Sequence, residues 1–193
     1  MGRILFDTAT SIDGYIADQD GSLGWLFEVA GGENPDEGLF PTGHTVLVQG
    51  STTYEWLLRE QDVLAHPERW REFHGDRPTF VFTTRDLPVP EGVDVRLVRG
   101  AVADVLPRIL EAAGDGDVWV VGGGDLAGQF LDAGVLDEVA VSVAPVALGG
   151  GAPLLPRRVT SERLRLVSAG AVGQFARLVY AVLPPGGPAP TAG

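Results

Sequence analysis

Three stretches of this chain bring main-chain amides, hydroxyls and a guanidinium to the ends of apolar runs. The first is Val118-Trp119-Val120-Val121 followed by Gly122, Gly123, Gly124, Asp125 and Leu126, where an apolar run ends in three glycines and passes at once into a helical pattern. Glycines let a ligand approach the backbone, and free N–H groups at a helix start attract phosphate. The second is Val46-Leu47-Val48-Gln49-Gly50-Ser51-Thr52-Thr53-Tyr54-Glu55, again an apolar run, a glycine and a helix. The third is Thr79–Arg85, a run ending in Thr83, Thr84 and the cation Arg85. Each has an ordinary alternative: a bare glycine turn, a helix cap made by Thr52 and Glu55, a solvated loop charge at Arg85. Taken together, three strand ends carrying phosphate-binding groups suit a nucleotide-like cofactor, because open α/β sheets bind ligands at the carboxyl ends of their strands. A Rossmann fingerprint fits poorly, since Gly122, Gly124 and Gly128 do not have its spacing and stand late in the chain.

Absences narrow the chemistry further. There is no Cys among the 193 residues, and all 14 basic residues are Arg. Disulfides, thiolate catalysis, Schiff bases and Walker-type phosphate loops are therefore excluded. The three histidines, His44, His66 and His74, match no zinc spacing and read as surface residues, so no metal is expected. A net charge of −12 argues against nucleic acid or an anionic membrane as partner. With no membrane-length apolar run and no signal peptide, the expected location is cytoplasmic and the expected partner a small-molecule substrate.

The elements that must position these residues follow from periodicity. Strands are expected at Arg3–Thr10, Thr45–Gln49, Pro78–Thr84, Val93–Val98, Val118–Val121, Glu138–Val146, Leu164–Ala169 and Gln174–Leu183. Helices are expected from a Thr52/Glu55 capping box to about Arg59, after a cap at Asp104, and after a cap at Asp125, with a short one over His66–His74. Alternating strands and helices up to about residue 134, then strands alone, predict an α/β fold. It would be a three-layer αβα with one mixed, mostly parallel sheet of about eight strands. Residues 1–183 would form one domain, Gly31–Gly43 a surface loop and Pro184–Gly193 a disordered tail. Trp119 reads as core.

Five motifs occur in one order. They are Ala9-Thr10-Ser11-Ile12-Asp13-Gly14-Tyr15-Ile16-Ala17, Gly50–Glu55, Thr83–Arg85, Val121–Gly124, and Asp137-Glu138 with Ala144–Leu154. The set, which spans roughly residues 3–183, resembles the dihydrofolate reductase-like superfamily. It looks most like the branch related to the C-terminal reductase domain of the bifunctional riboflavin-biosynthesis deaminase-reductase.

The resemblance implies a reductase with NADPH as hydride donor, NADH being the other candidate. It implies that the backbone at Ala9 and Ile16 contacts the nicotinamide, and that Gly50, Ser51 and Thr53 meet the phosphates. Thr83, Thr84 and Arg85 would hold the adenosine ribose and its 2′-phosphate. The Gly122–Gly124 turn with Asp125 and Leu126 would cradle the pyrophosphate, and Ile12–Trp25 would be a flap over the nicotinamide. Two cations common in relatives are replaced, by Ser51 and by Asp125, which weakens a 2′-phosphate clamp.

On the substrate side, the acid that dihydrofolate reductases carry after the flap tryptophan falls near Ala30 here. The remaining acid candidates are Asp13, Glu28 and Glu55, with Asp13 also reading as a turn residue and Glu33, Asp36 and Glu37 as loop charges. Trp25 is a candidate pocket wall or loop anchor, and Arg157 and Arg158 are candidate substrate ligands or solvated charges. Dihydrofolate is therefore an unlikely substrate; a small heterocycle or sugar-derived imine fits better. A non-catalytic NADP(H) sensor and a flavin- or deazaflavin-using reductase are the alternatives. The apolar strand Val139–Val146 points to a homodimer.

Overall fold

The computed structural model describes residues 2–30 and 36–184. The expected tail therefore lies outside the described residues except for Pro184, as do Gly31–Pro35 of the expected loop. Ten strands are seen: β1 Ile4–Thr10, β2 Tyr15–Ala17, β3 His44–Gly50, β4 Thr79–Phe82, β5 Val95–Val98, β6 Asp117–Gly122, β7 Glu138–Val143, β8 Ala152–Pro153, β9 Leu164–Val172 and β10 Phe175–Val182. The helices are α1 Gly24–Phe27, α2 Ser51–Glu60, α3 Pro67–His74, α4 Val102–Ala113 and α5 Gly124–Asp132.

Eight of the strands form one sheet in the order β5-β4-β3-β6-β1-β7-β10-β9. The first six are mutually parallel, and β10 and β9 run antiparallel at one edge. This is the αβα fold expected from the alternation of elements. Runs such as Ile4-Leu5-Phe6-Asp7 are buried throughout because both faces of the parallel part are covered. On one face Ile4, Phe6, Val48 and Val120 pack against Val105 and Ile109 of α4 and Phe130 of α5. On the other, Tyr54 of α2 and Trp70 of α3 close over Val81, while Trp25, Val29, Ala144 and Phe175 form a smaller cluster.

Several local expectations need correction. Helix α2 starts at Ser51 with Gly50 as its cap, so Thr52 and Glu55 do not form a capping box. Asp104 and Asp125 lie inside the first turns of α4 and α5, whose caps are Ala101 and Gly123. In each case the strand or loop runs straight into the helix. The acids act on the helix dipole from within the first turn instead of ending the chain of orphan amides. Strand β7 lies inside the sheet between β1 and β10, with Val139, Ala140 and Val141 buried against their own chain. On the edge strand β9, by contrast, Leu166 and Val167 are exposed.

His74 is not a surface residue. It is buried, stacked on Trp70 at 4.2 Å between ring centroids, and its Nε2 lies 3.0 Å from Gln49 Nε2. Burial pushes its imidazole down to about 4. The folded protein therefore keeps His74 neutral, whereas the unfolded chain takes up a proton near pH 6.5. The stabilisation is complete above about pH 6.5 and is lost as pH falls toward 4. At about 1.4 kcal/mol per unit, most of a ~3 kcal/mol contribution should disappear between pH 7.5 and 4.5. Urea denaturation at the two pH values would show it, with His74→Phe losing much less stability over the same interval.

Candidate cofactor and substrate site

The glycine turns expected to hold phosphate meet at the C-terminal rim of the sheet. A Cβ on Gly50 would sit 3.6 Å from the Gly123 nitrogen, so the turn after β3 lies directly against the turn after β6, where the Gly122–Gly123 peptide is cis. Helices α2 and α5 both begin here, capped by extended Gly50 and Gly123 with no side-chain hydrogen bond to their first amides. Two helix N-termini thus face one cavity of about 240 Å³, lined by Gly50, Ser51, Thr52, Phe82, Gly123, Asp125, Leu126 and Gln129. Orphan N–H groups and two aligned helix dipoles make this a place for an anion. A pyrophosphate fits that donor set.

The glycines are there for space. The Thr53 hydroxyl stands 3.2 Å from where a Gly122 Cβ would be. A Cβ on Gly124 would collide with the Pro153 and Leu154 carbonyl oxygens. At Gly123 the only neighbour would be Ile16 Cδ1, at 3.9 Å. Strand β2 therefore reaches the β6–α5 turn through Ile16, and Ala9 lies one residue before the end of the adjacent strand β1.

The flap itself is pinned. Asp13 accepts hydrogen bonds from Ser11 Oγ (2.6 Å), the Leu148 amide (3.0 Å) and the Gly149 amide (2.6 Å). These donors hold its carboxyl down at about 2. A carboxylate so stabilised is ionised at neutral pH and supplies no proton; it ties the β1–β2 turn to the Leu148–Gly149 backbone. Strand β2 pairs with β8, and a Cβ on Gly151 would strike the Ala17 carbonyl. At the other end, Phe27 stacks on Trp56 of α2 with centroids 6.2 Å apart. Trp25 is buried, and its indole N–H has no partner among the described residues. Trp25 belongs to α1 and packs with Val29, Ala144 and Phe175.

The remaining candidates are engaged elsewhere. Glu28 is exposed. Glu55 is tied to Arg85 by two hydrogen bonds, of 2.9 and 2.5 Å. Thr83 is buried and its hydroxyl accepts the Arg85 amide at 3.0 Å, while Thr84 is exposed. Asp125 accepts from Gln129 (2.9 Å) and Arg157 (3.1 Å), which lower its pKa. Arg157 also donates to Asp132, so its side chain runs along α5 past Gly128.

No motif in the sequence singles out Asp7 or Arg177. Asp7 lies two residues before Ala9 on the same face of β1, is buried, and is held by Arg177 Nη1 (2.6 Å) and Nη2 (2.5 Å). Arg177 also donates to Ser142, and the Trp119 indole donates to the Asp7 carbonyl at 2.9 Å. Burial raises the Asp7 pKa while Arg177 opposes the shift. The signal available was an acid inside an apolar strand, Ile4-Leu5-Phe6-Asp7, which is costly unless the charge is paired.

A family model, the RibD C-terminal domain, matches residues 58–176. The chain belongs to this family. It is 31% identical to the uncharacterized protein YwjB of Bacillus subtilis (strain 168) over 89% of this chain and 93% of that protein. A solved structure from Shewanella sp. PV-4, provisionally named a riboflavin biosynthesis protein, is 28% identical with a TM-score of 0.70. It covers 95% of this chain and 99% of its own. The fold is shared with the deaminase/5-amino-6-(5-phosphoribosylamino)uracil reductase of Thermotoga maritima, at TM-score 0.65 and 18% identity. That match covers 94% of this chain but 57% of the Thermotoga protein. This RibD C-terminal domain thus has the reductase-like fold inferred from its motifs.

Proposed function

We propose that this RibD C-terminal domain is a reductase that takes a reduced nicotinamide dinucleotide, NADPH or NADH, and delivers hydride to a C=N or C=O bond. The substrate would be a small heterocycle or a sugar-derived imine. The observation that carries the reading is the meeting of two uncapped helix N-termini at one cavity with the flap residue Ile16 beside it. When bound, the dinucleotide supplies the hydride. Amides of Gly50–Thr52 and Gly123–Leu126 would grip its pyrophosphate, and Ala9 and Ile16 would orient its nicotinamide end. The flap, pinned by Asp13, would hold the nicotinamide end in place. With Asp13 locked as an anion, Glu55 engaged by Arg85 and Glu28 exposed, the proton that completes the reduction is assigned to water. The absence of an acid at Ala30 argues against dihydrofolate as the substrate.

The test is a thermal-shift screen of the intact protein with NADPH, NADH and FMN, followed by absorbance at 340 nm with candidate acceptors. The acceptors include dihydrofolate and 5-amino-6-(5-phosphoribosylamino)uracil. Stabilisation by a nicotinamide dinucleotide and its substrate-dependent oxidation are expected. Stabilisation by FMN alone would replace this reading with a flavin-using one.

A further inference from the structure

We infer that this cavity favours the dinucleotide lacking a 2′-phosphate, NADH over NADPH, and that Ser51 and Glu55 set the preference; the inference rests on the reductase reading above. It begins with the charges in and around the cavity. Among the lining residues the one ionisable side chain is Asp125, an acid. Three arginines that follow these strands or border α5 are each paired with an acid. Arg85, after β4, is held at both ends of its fork by Glu55. Arg99, after β5, lies 2.6 Å from Asp86. Arg157, beside α5, is shared by Asp125 and Asp132. The first residue of α2, where a cation would point at a bound anion, is Ser51.

Glu55 stands four residues after Ser51 and three after Thr52 in α2, so it shares the helix face that lines the cavity. Its carboxylate is the charge a dinucleotide would meet beyond Ser51. A pyrophosphate can be held by the amides of two helix N-termini. A 2′-phosphate adds ~1.5–2 further negative charges at neutral pH, which those amides cannot also reach. Arg85 keeps free N–H donors, but its charge is already shared with Glu55, whose carboxylate would stand beside any phosphate the guanidinium received. Like charges brought together in this way oppose binding. The chain's net charge of −12 adds to the same effect, since it penalises each extra negative charge on a ligand.

The experiment measures the dissociation constants of NADH and NADPH for the full chain, by calorimetry at fixed ionic strength. The wild type is compared with Ser51→Arg and Glu55→Gln. The wild type is expected to bind NADH more tightly. Each variant should shift the NADPH/NADH affinity ratio toward NADPH by about fivefold or more, the effect of roughly 1 kcal/mol from one charge. Both side chains are at least partly accessible, and thermal melts verify that each variant is folded. Tighter binding of NADPH by the wild type, or a ratio unmoved by both variants, overturns the inference while leaving the reductase reading standing. Binding of neither dinucleotide overturns the reductase reading and the inference with it.

Discussion

Gly123→Asp should abolish dinucleotide binding while leaving the fold in place. Gly123 caps α5 with φ −82°, a φ open to any residue, and a Cβ there meets only Ile16 at van der Waals distance. Aspartate is moreover a favoured cap, since its carboxylate accepts from the first free amides of a helix. Those are the amides assigned to the pyrophosphate. The new side chain would occupy the anion site and repel what comes to it, a loss of about 4 kcal/mol, close to a thousandfold in affinity. Gly123→Ala, which brings the Cβ without the charge, should bind nearly as the wild type does. Calorimetry with NADH and NADPH and a thermal melt would check both. A Gly123→Asp protein that melts normally and still binds within a few-fold of the wild type would remove the pyrophosphate from this turn.

The second large effect concerns the ion pair under β1. Arg177→Met keeps the aliphatic stem and strands the Asp7 carboxylate, whose residue is 3% exposed. Breaking a buried pair from one side costs about 3–5 kcal/mol, because the remaining charge has no solvent to return to. The variant should also change its pH dependence. Without Arg177 the burial that already raises the Asp7 pKa acts unopposed. A folded pKa raised above the unfolded value stabilises at low pH and loses that contribution as pH rises. The destabilisation should therefore shrink toward pH 4. The double variant Asp7→Leu/Arg177→Met should recover much of the loss. Urea unfolding at pH 7.5 and 4.5 measures all three, and a single variant losing less than about 1 kcal/mol would show that the pair is not needed for stability.

Much of this architecture was written in apolar runs. Strands β1, β3, β4, β6 and β10 carry β-branched or aromatic stretches bounded by Gly, Pro or polar residues, and all were placed within a few residues. Three elements were not legible. Strands β2 and β8 have 3 and 2 residues, too few to show alternation, and α1 has 4, about one helical turn. Glu55 was read as a cap partner because Thr and Glu three apart make the same pattern whether or not the helix begins there. Its real partner, Arg85, comes from another strand end. Asp7 and Arg177 are 170 residues apart, so only the sheet order β1-β7-β10 brings them together. His74 looked like a surface residue because nothing local reveals that Trp70 and Gln49 enclose it. The glycine turns were legible because close backbone approach leaves glycine as the residue that fits, as at Gly124.

The segment Gly149–Leu154 lies between two working parts of the molecule. Its Gly149 amide holds Asp13, its Gly151 lies against Ala17, and its Pro153 and Leu154 carbonyls press on Gly124. One short brace therefore touches both the β1–β2 segment and the β6–α5 turn, with no room for a methyl group at Gly151 or Gly124. On the proposed reading reciprocity would follow: a ligand fragment that settled on the β6–α5 turn and steadied this brace would also steady the loop held by Asp13, and by the same factor an ordered loop would tighten the grip on that fragment.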